Sequence, residues 1–127
     1  MIADTDALAT IAVKQLDTAK QFYEGKLGFK PAGPSQQQGV VTYLSGKARF
    51  LVYESQSAGT NRATAATWVV ENAVDDIVKT LKSKGVTFEH YDMPGLKLQG
   101  DVHVGGDGMK AAWFKDPDGN VLAVVGS

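Results

Sequence analysis

The chain of 127 residues contains no cysteine, which rules out disulfides, thiolate metal sites and cysteine nucleophiles. Histidine is scarce. His90 and His103 are the only two, and no His-x-x-x-His spacing or paired acidic strand accompanies them. Charge of one sign is also lacking: 13 Lys and Arg oppose 14 Asp and Glu, a net charge of −1. That balance gives no electrostatic case for nucleic acid or an anionic membrane as partner. No apolar run approaches the ~20 residues of a membrane span, and Met1-Ile2-Ala3-Asp4-Thr5-Asp6 does not read as a signal peptide. The expectation is a cytoplasmic protein of one domain, with 43% hydrophobic residues to build a core.

What is present alternates strand and helix signals. Leu8 to Val13 is a short apolar run with β-branched residues, read as a strand. Asp17 is placed to cap the helix that follows, whose apolar face is Leu16, Ala19, Phe22, Tyr23 and Leu27, with Gly28 ending it. Phe29 starts a short strand closed by Pro31, and Gln36-Gln37-Gln38 is a brief polar tract. Gly39 to Leu44, the turn Ser45-Gly46-Lys47 and Ala48 to Tyr53 form a hairpin. Residues 55–63 carry little apolar bulk and read as a linker. The pattern then recurs: a strand over Ala65–Val70, Asn72 as cap, a helix with Val74, Ile77, Val78 and Leu81 on one face, Gly85 to end it, and a short strand over Val86–Glu89. Gly28 and Gly85 lie 57 residues apart at matching places, which indicates a duplicated module rather than a solenoid.

His90 to Met109, with five glycines, reads as an irregular segment, either a lid over a ligand or a structural excursion. Its Gly105-Gly106-Asp107-Gly108 is no phosphate loop, lacking the following helix and a Lys-Ser/Thr pair. The chain closes on Ala111 to Val125, two apolar runs around Asp116-Pro117-Asp118-Gly119-Asn120, a strong hairpin turn.

Phe114-Lys115-Asp116-Pro117-Asp118-Gly119-Asn120 resembles the signature closing the second module of the vicinal oxygen chelate superfamily, which contains glyoxalase I, extradiol dioxygenases, and fosfomycin- and bleomycin-resistance proteins. Val13-Lys14-Gln15-Leu16, Phe22-Tyr23, Leu27-Gly28-Phe29 and the helix ending Leu81-Lys82-Ser83-Lys84-Gly85-Val86 are similar to the family's other motifs, in the right order, with Gln15 replacing the usual acid. The resemblance implies an α+β fold of two tandem βαβββ modules within one domain. The N-terminal module spans about 6–54, the linker about 55–63 and the C-terminal module about 64–127. It also implies a homodimer.

Metal-dependent members hold a divalent ion through side chains on the first and last strands of each module, using imidazole or carboxylate donors. The resemblance places those positions at Leu8, Phe50, Ala66 and Ala123, none of which can bind a metal. The reading is therefore a member without metal or other cofactor. Taking positions two apart as sharing a face, Thr10 and Ala12 join Leu8, Ala48 and Val52 join Phe50, and Trp68 and Val70 join Ala66. Val121 and Val125 join Ala123. Arg49 then points away from the cavity, and Trp113 points into it if Phe114 packs under a helix. The resulting apolar pocket carries two indoles, Trp68 and Trp113, suited to a small aromatic or hydrophobic molecule. Both tryptophans also suit a core or a dimer interface.

Two functions compete. One is a small-molecule binding protein resembling the bleomycin-resistance proteins, whose cleft is shared by two subunits. The other is an enzyme of lyase, isomerase or dioxygenase type using His103 and Tyr91, with Asp107 as a further acid–base group, with or without a non-standard metal site. A histidine paired with a carboxylate inside the pocket indicates catalysis; an apolar slot indicates binding.

Overall fold

The structure, a computed structural model, describes residues 1–34 and 38–127. Gln36 and Gln37 of the polar tract lie outside the described residues. In the first half, β1 (Ala9–Val13) pairs in parallel with β4 (Ala48–Glu54). β3 (Val40–Ser45) runs antiparallel to β4, and β2 (Lys30–Pro31) pairs along the outer edge of β3. Between β1 and β2, α1 (Leu16–Lys20) continues into a π-helical stretch, Gln21–Lys26.

The second half repeats this order. β5 (Thr64–Glu71) is followed by α2 (Val74–Ser83) and the short β6 (Phe88–Glu89). β9 (Lys110–Lys115) and β10 (Val121–Gly126) form the closing hairpin, and β10 pairs in parallel with β5 as β4 does with β1. The fold is α+β, two tandem βαβββ modules. Gly28 and Gly85, the repeated helix terminators, both take positive φ, +82° and +88°, where a β-carbon is strained.

Three local expectations are corrected. The segment 90–109 is not irregular throughout: β7 (Leu96–Gln99) and β8 (Val102–Gly105) form an antiparallel hairpin that extends the second sheet beyond β9. Its alternation, Leu96 and Leu98 against Val102 and Val104 around Gly100-Asp101, is a hairpin signal that the high glycine content obscured. Asp17 does not cap α1. Gln15 holds the cap position, and the Leu16 amide instead donates to the Glu54 carboxylate at 3.0 Å, because Glu54 lies opposite Val13 in the parallel ladder. Asn72 does not cap α2 either; Ala73 precedes that helix without a side-chain bond.

One core serves both sheets. Ile11, Val13, Tyr43, Phe50 and Val52 of the first sheet, and Ala112, Phe114, Leu122 and Val124 of the second, turn toward the helices and pack with Phe22, Tyr23, Val74, Val78 and Leu81. Ring contacts join the modules: Phe22 with Phe114, and Phe29 and Phe50 with Trp68. The linker crosses so close to the closing turn that a β-carbon on Gly59 would lie 1.9 Å from the Asp118 carbonyl oxygen.

Candidate binding site

Each sheet has a helix-side face that is buried and a second face that no helix covers. Strand alternation and the registers assign residues to them. In the first sheet the open face carries Thr10, Ala12, Thr42, Leu44, Leu51 and Tyr53. In the second it carries Thr67, Val69, Leu98, His103, Ala111, Trp113, Ala123 and Val125. Apolar side chains stay exposed there: Val69 at 74%, Leu98 at 44%, Leu44 at 42% and Tyr53 at 37%. An antiparallel sheet facing water is ordinarily polar on that side, so the apolar character calls for a ligand or partner.

The expected pocket lining is therefore split between two faces. Thr10, Trp113 and Ala123 are on the open faces, and Leu8 precedes β1, exposed. Phe50, Val52, Ala66 and Trp68 are on the helix side, because Phe50 stands opposite Ala9, Val52 opposite Ile11, Ala66 opposite Leu122 and Trp68 opposite Val124. Trp68 and Trp113 thus occupy opposite faces of one sheet. Arg49, expected to point away, shares the open face with Leu51. The error is a one-residue phase. β3 and β4 are apolar on both faces, so hydrophobicity alone does not fix which face is buried.

The open face of the second sheet brings together His103, Tyr91 and Trp113. The His103 ring meets the Trp113 indole edge-on at 4.9 Å, and Tyr91 lies against both rings. His103 is 1% exposed. Its Nε2 accepts a hydrogen bond from the Tyr91 backbone N–H at 2.9 Å, which puts the proton of the neutral ring on Nδ1. Nδ1 is buried with no hydrogen-bond partner among the described residues. This histidine is built as a donor, since its one lone pair is already engaged. The Tyr91 hydroxyl is held above its ordinary pKa, first by burial and then by the charge of Glu89, with Lys115 opposing. The Trp113 indole N–H donates to Thr64 Oγ1 at 3.2 Å.

His90 takes no part in this cluster. Its Nε2 lies 2.7 Å from Asp101, which also pairs with Lys82 of α2 at 2.6 Å. Asp107 accepts the Met109 amide within its own turn and meets no histidine.

The divalent ion implied by the resemblance needs at least three converging donors. Leu8 precedes β1 and Ala123 already lies on the open face, and shifting Phe50 and Ala66 by one residue onto it gives Leu51 and Thr67; none of the four is a carboxylate or imidazole. Among the described residues, no group of three His, Cys, Asp or Glu side chains is placed to hold a metal. Nor is any helix long and apolar enough to cross a membrane.

Comparison with known proteins agrees with the architecture. The model of the Glyoxalase/Bleomycin resistance protein/Dioxygenase superfamily matches residues 6–124. No curated protein sequence matches. Among solved structures, an integron cassette protein from the mobile metagenome of the Halifax Harbour sewage outfall superposes with a TM-score of 0.70 at 19% identity, covering 97% of this chain and 100% of that one. A superfamily member from Sphaerobacter thermophilus gives 0.65 at 24% identity, covering 98% and 99%. The fosfomycin resistance protein FosX from Listeria monocytogenes, in complex with Mn(II) and sulfate, gives 0.66 at 16% identity, covering 97% and 90%.

Proposed function

Because this chain belongs to the glyoxalase/bleomycin resistance protein/dioxygenase superfamily, we propose that it is a metal-free member that binds a small aromatic or hydrophobic molecule. It does so on the open sheet faces, as a cytoplasmic homodimer and without a cofactor. The observation that carries this reading is the uncovered apolar surface on both sheets, from Leu44 and Tyr53 to Val69, Leu98 and the half-buried Trp113. Placing a second copy over these faces removes apolar area from water and leaves a slot between sheets, in which an indole offers stacking.

The enzymatic alternative has one observation in its favour, the convergence of His103 with Tyr91 on this face. It is the weaker reading. The Tyr91 amide occupies the imidazole lone pair a general base needs, and among the described residues no carboxylate is bonded to the ring.

Native mass spectrometry of protein purified without added metal, repeated after nickel or zinc addition, tests the proposal. The expected species is a dimer without stoichiometric metal at either stage. In a Trp68→Phe variant, fluorescence of the remaining Trp113 should report saturable binding of 2-naphthol. One bound metal per chain, or no saturable binding, would sink it.

A further inference from the structure

A cavity of about 330 Å³ lies on the opposite, helix-covered side of the molecule, between the end of the π-helical stretch and α2. Phe29, Trp68, Ile77, Leu81 and Phe114 provide its apolar lining. The volume is at the lower end of the ~300–1,000 Å³ typical of small-molecule pockets, the scale of a one- or two-ring ligand. Trp68 forms part of the wall rather than a sealed core: it is stacked on Phe29 at 5.4 Å, its N–H is satisfied by Ser45 Oγ at 2.9 Å, and it remains partly exposed.

The rim is charged unevenly. Lys26 and Lys84 stand at one end, where Lys26 Nζ comes within 3.8 Å of the place a β-carbon on Gly85 would take. Neither lysine has an ion-pair partner among the described residues. Among the described residues Asp76 is the one carboxylate on the rim, eight residues before Lys84 and so roughly 12 Å away along the helix axis. The cleft thus has an apolar floor, a doubly positive end and a negative group set back from it. That polarity selects both a charge and an orientation: an anionic head at the lysines, with the ring system lying over the aromatic floor away from Asp76.

We propose that this groove is a second binding site, separate from the open sheet faces, and that it takes a small aromatic monocarboxylate. The apolar ring buries against Trp68, Phe29 and Ile77 while the carboxylate pairs with Lys26 and Lys84. Like charge from Asp76 turns away a ligand with acids at both ends.

The test follows the two indole N–H resonances during titration with 2-naphthoate, a Trp113→Phe variant assigning them. The expected result is a saturable shift of the Trp68 resonance, one equivalent per chain, with Trp113 unmoved. The exposed pair Lys26→Met and Lys84→Met, with folding checked by circular dichroism, should weaken 2-naphthoate at least tenfold and leave neutral 2-naphthamide unchanged. Absence of saturation, a shift confined to Trp113, or equal affinity in the lysine variant would overturn the proposal. Because the open faces are probed by 2-naphthol at Trp113, the two sites fail or succeed separately.

Discussion

At the residue scale the most consequential group is Asp116, in the turn whose wording resembles the family signature. Its carboxylate is buried and accepts four hydrogen bonds: the Tyr23 hydroxyl and the Asn120 side-chain N–H, both at 2.8 Å, and the backbone N–H groups of Asp118 and Asn120, both at 2.9 Å. Asn120 also donates to the Ala12 carbonyl at 2.6 Å, and Asp118 accepts the Lys14 amide at 3.1 Å. The turn therefore stitches the closing hairpin to β1 and to the first helix; its function is architectural. Burial, and next the Asp116 charge, push the Tyr23 hydroxyl far above its ordinary pKa, so it stays a donor throughout the working range. Tyr23→Phe leaves a buried charge with three donors and should cost about 1.5–3 kcal/mol in urea unfolding. A loss under ~0.5 kcal/mol would contradict this account.

At the scale of elements, the β7–β8 hairpin hangs on the sheet by few bonds and is tied to α2 through its turn. Asp101 there receives Lys82 at 2.6 Å and His90 at 2.7 Å. The Lys82 hydrogen bond, followed by that of His90, holds the Asp101 carboxyl below the usual carboxylate range. A depressed folded pKa contributes stability above the unfolded value near pH 4 and loses it as pH falls through the folded value. Asp101→Asn should thus destabilise by about 0.5–1 kcal/mol at pH 7, a partly exposed pair being worth no more. The gap should narrow between pH 7 and pH 3 as the unfolded-state carboxyl takes up its proton. Urea midpoints at the two pH values measure it, and an undiminished gap at pH 3 would show that geometry rather than charge matters.

At the scale of the whole molecule, a single shared core lies between the helices and both sheets, so the apolar strand residues of opposite phase, such as Leu44, Leu51 and Val69, are left on the open faces. Val69 is the most exposed of these on a strand. Val69→Lys places a charge there without touching the core. It should convert the proposed dimer to a folded monomer, seen as a halved native mass with unchanged circular dichroism. A dimer that persists would place the subunit contact elsewhere.

Apart from the β7–β8 hairpin, the element order, the repeat and the closing turn were legible in the chain because they depend on local chemistry: glycines that permit positive φ after each helix, proline and Asp-Gly at the hairpin, and the 3.6-residue spacing of Val74, Val78 and Leu81. That Leu8, Phe50, Ala66 and Ala123 carry neither imidazole nor carboxylate is a matter of residue type and was readable from the chain alone. Which face each strand buries was not. Phe50-Leu51-Val52-Tyr53 is apolar at both parities, and only pairing Ala9 with Phe50 and Ile11 with Val52 turned Phe50 inward. Glu54 as the acceptor of the Leu16 amide at the start of α1, and His103 brought under Trp113, likewise depend on strands that meet across the sheet. A sequence specifies which residues prefer burial and where the backbone turns; the pairing of distant strands decides which of those residues face one another.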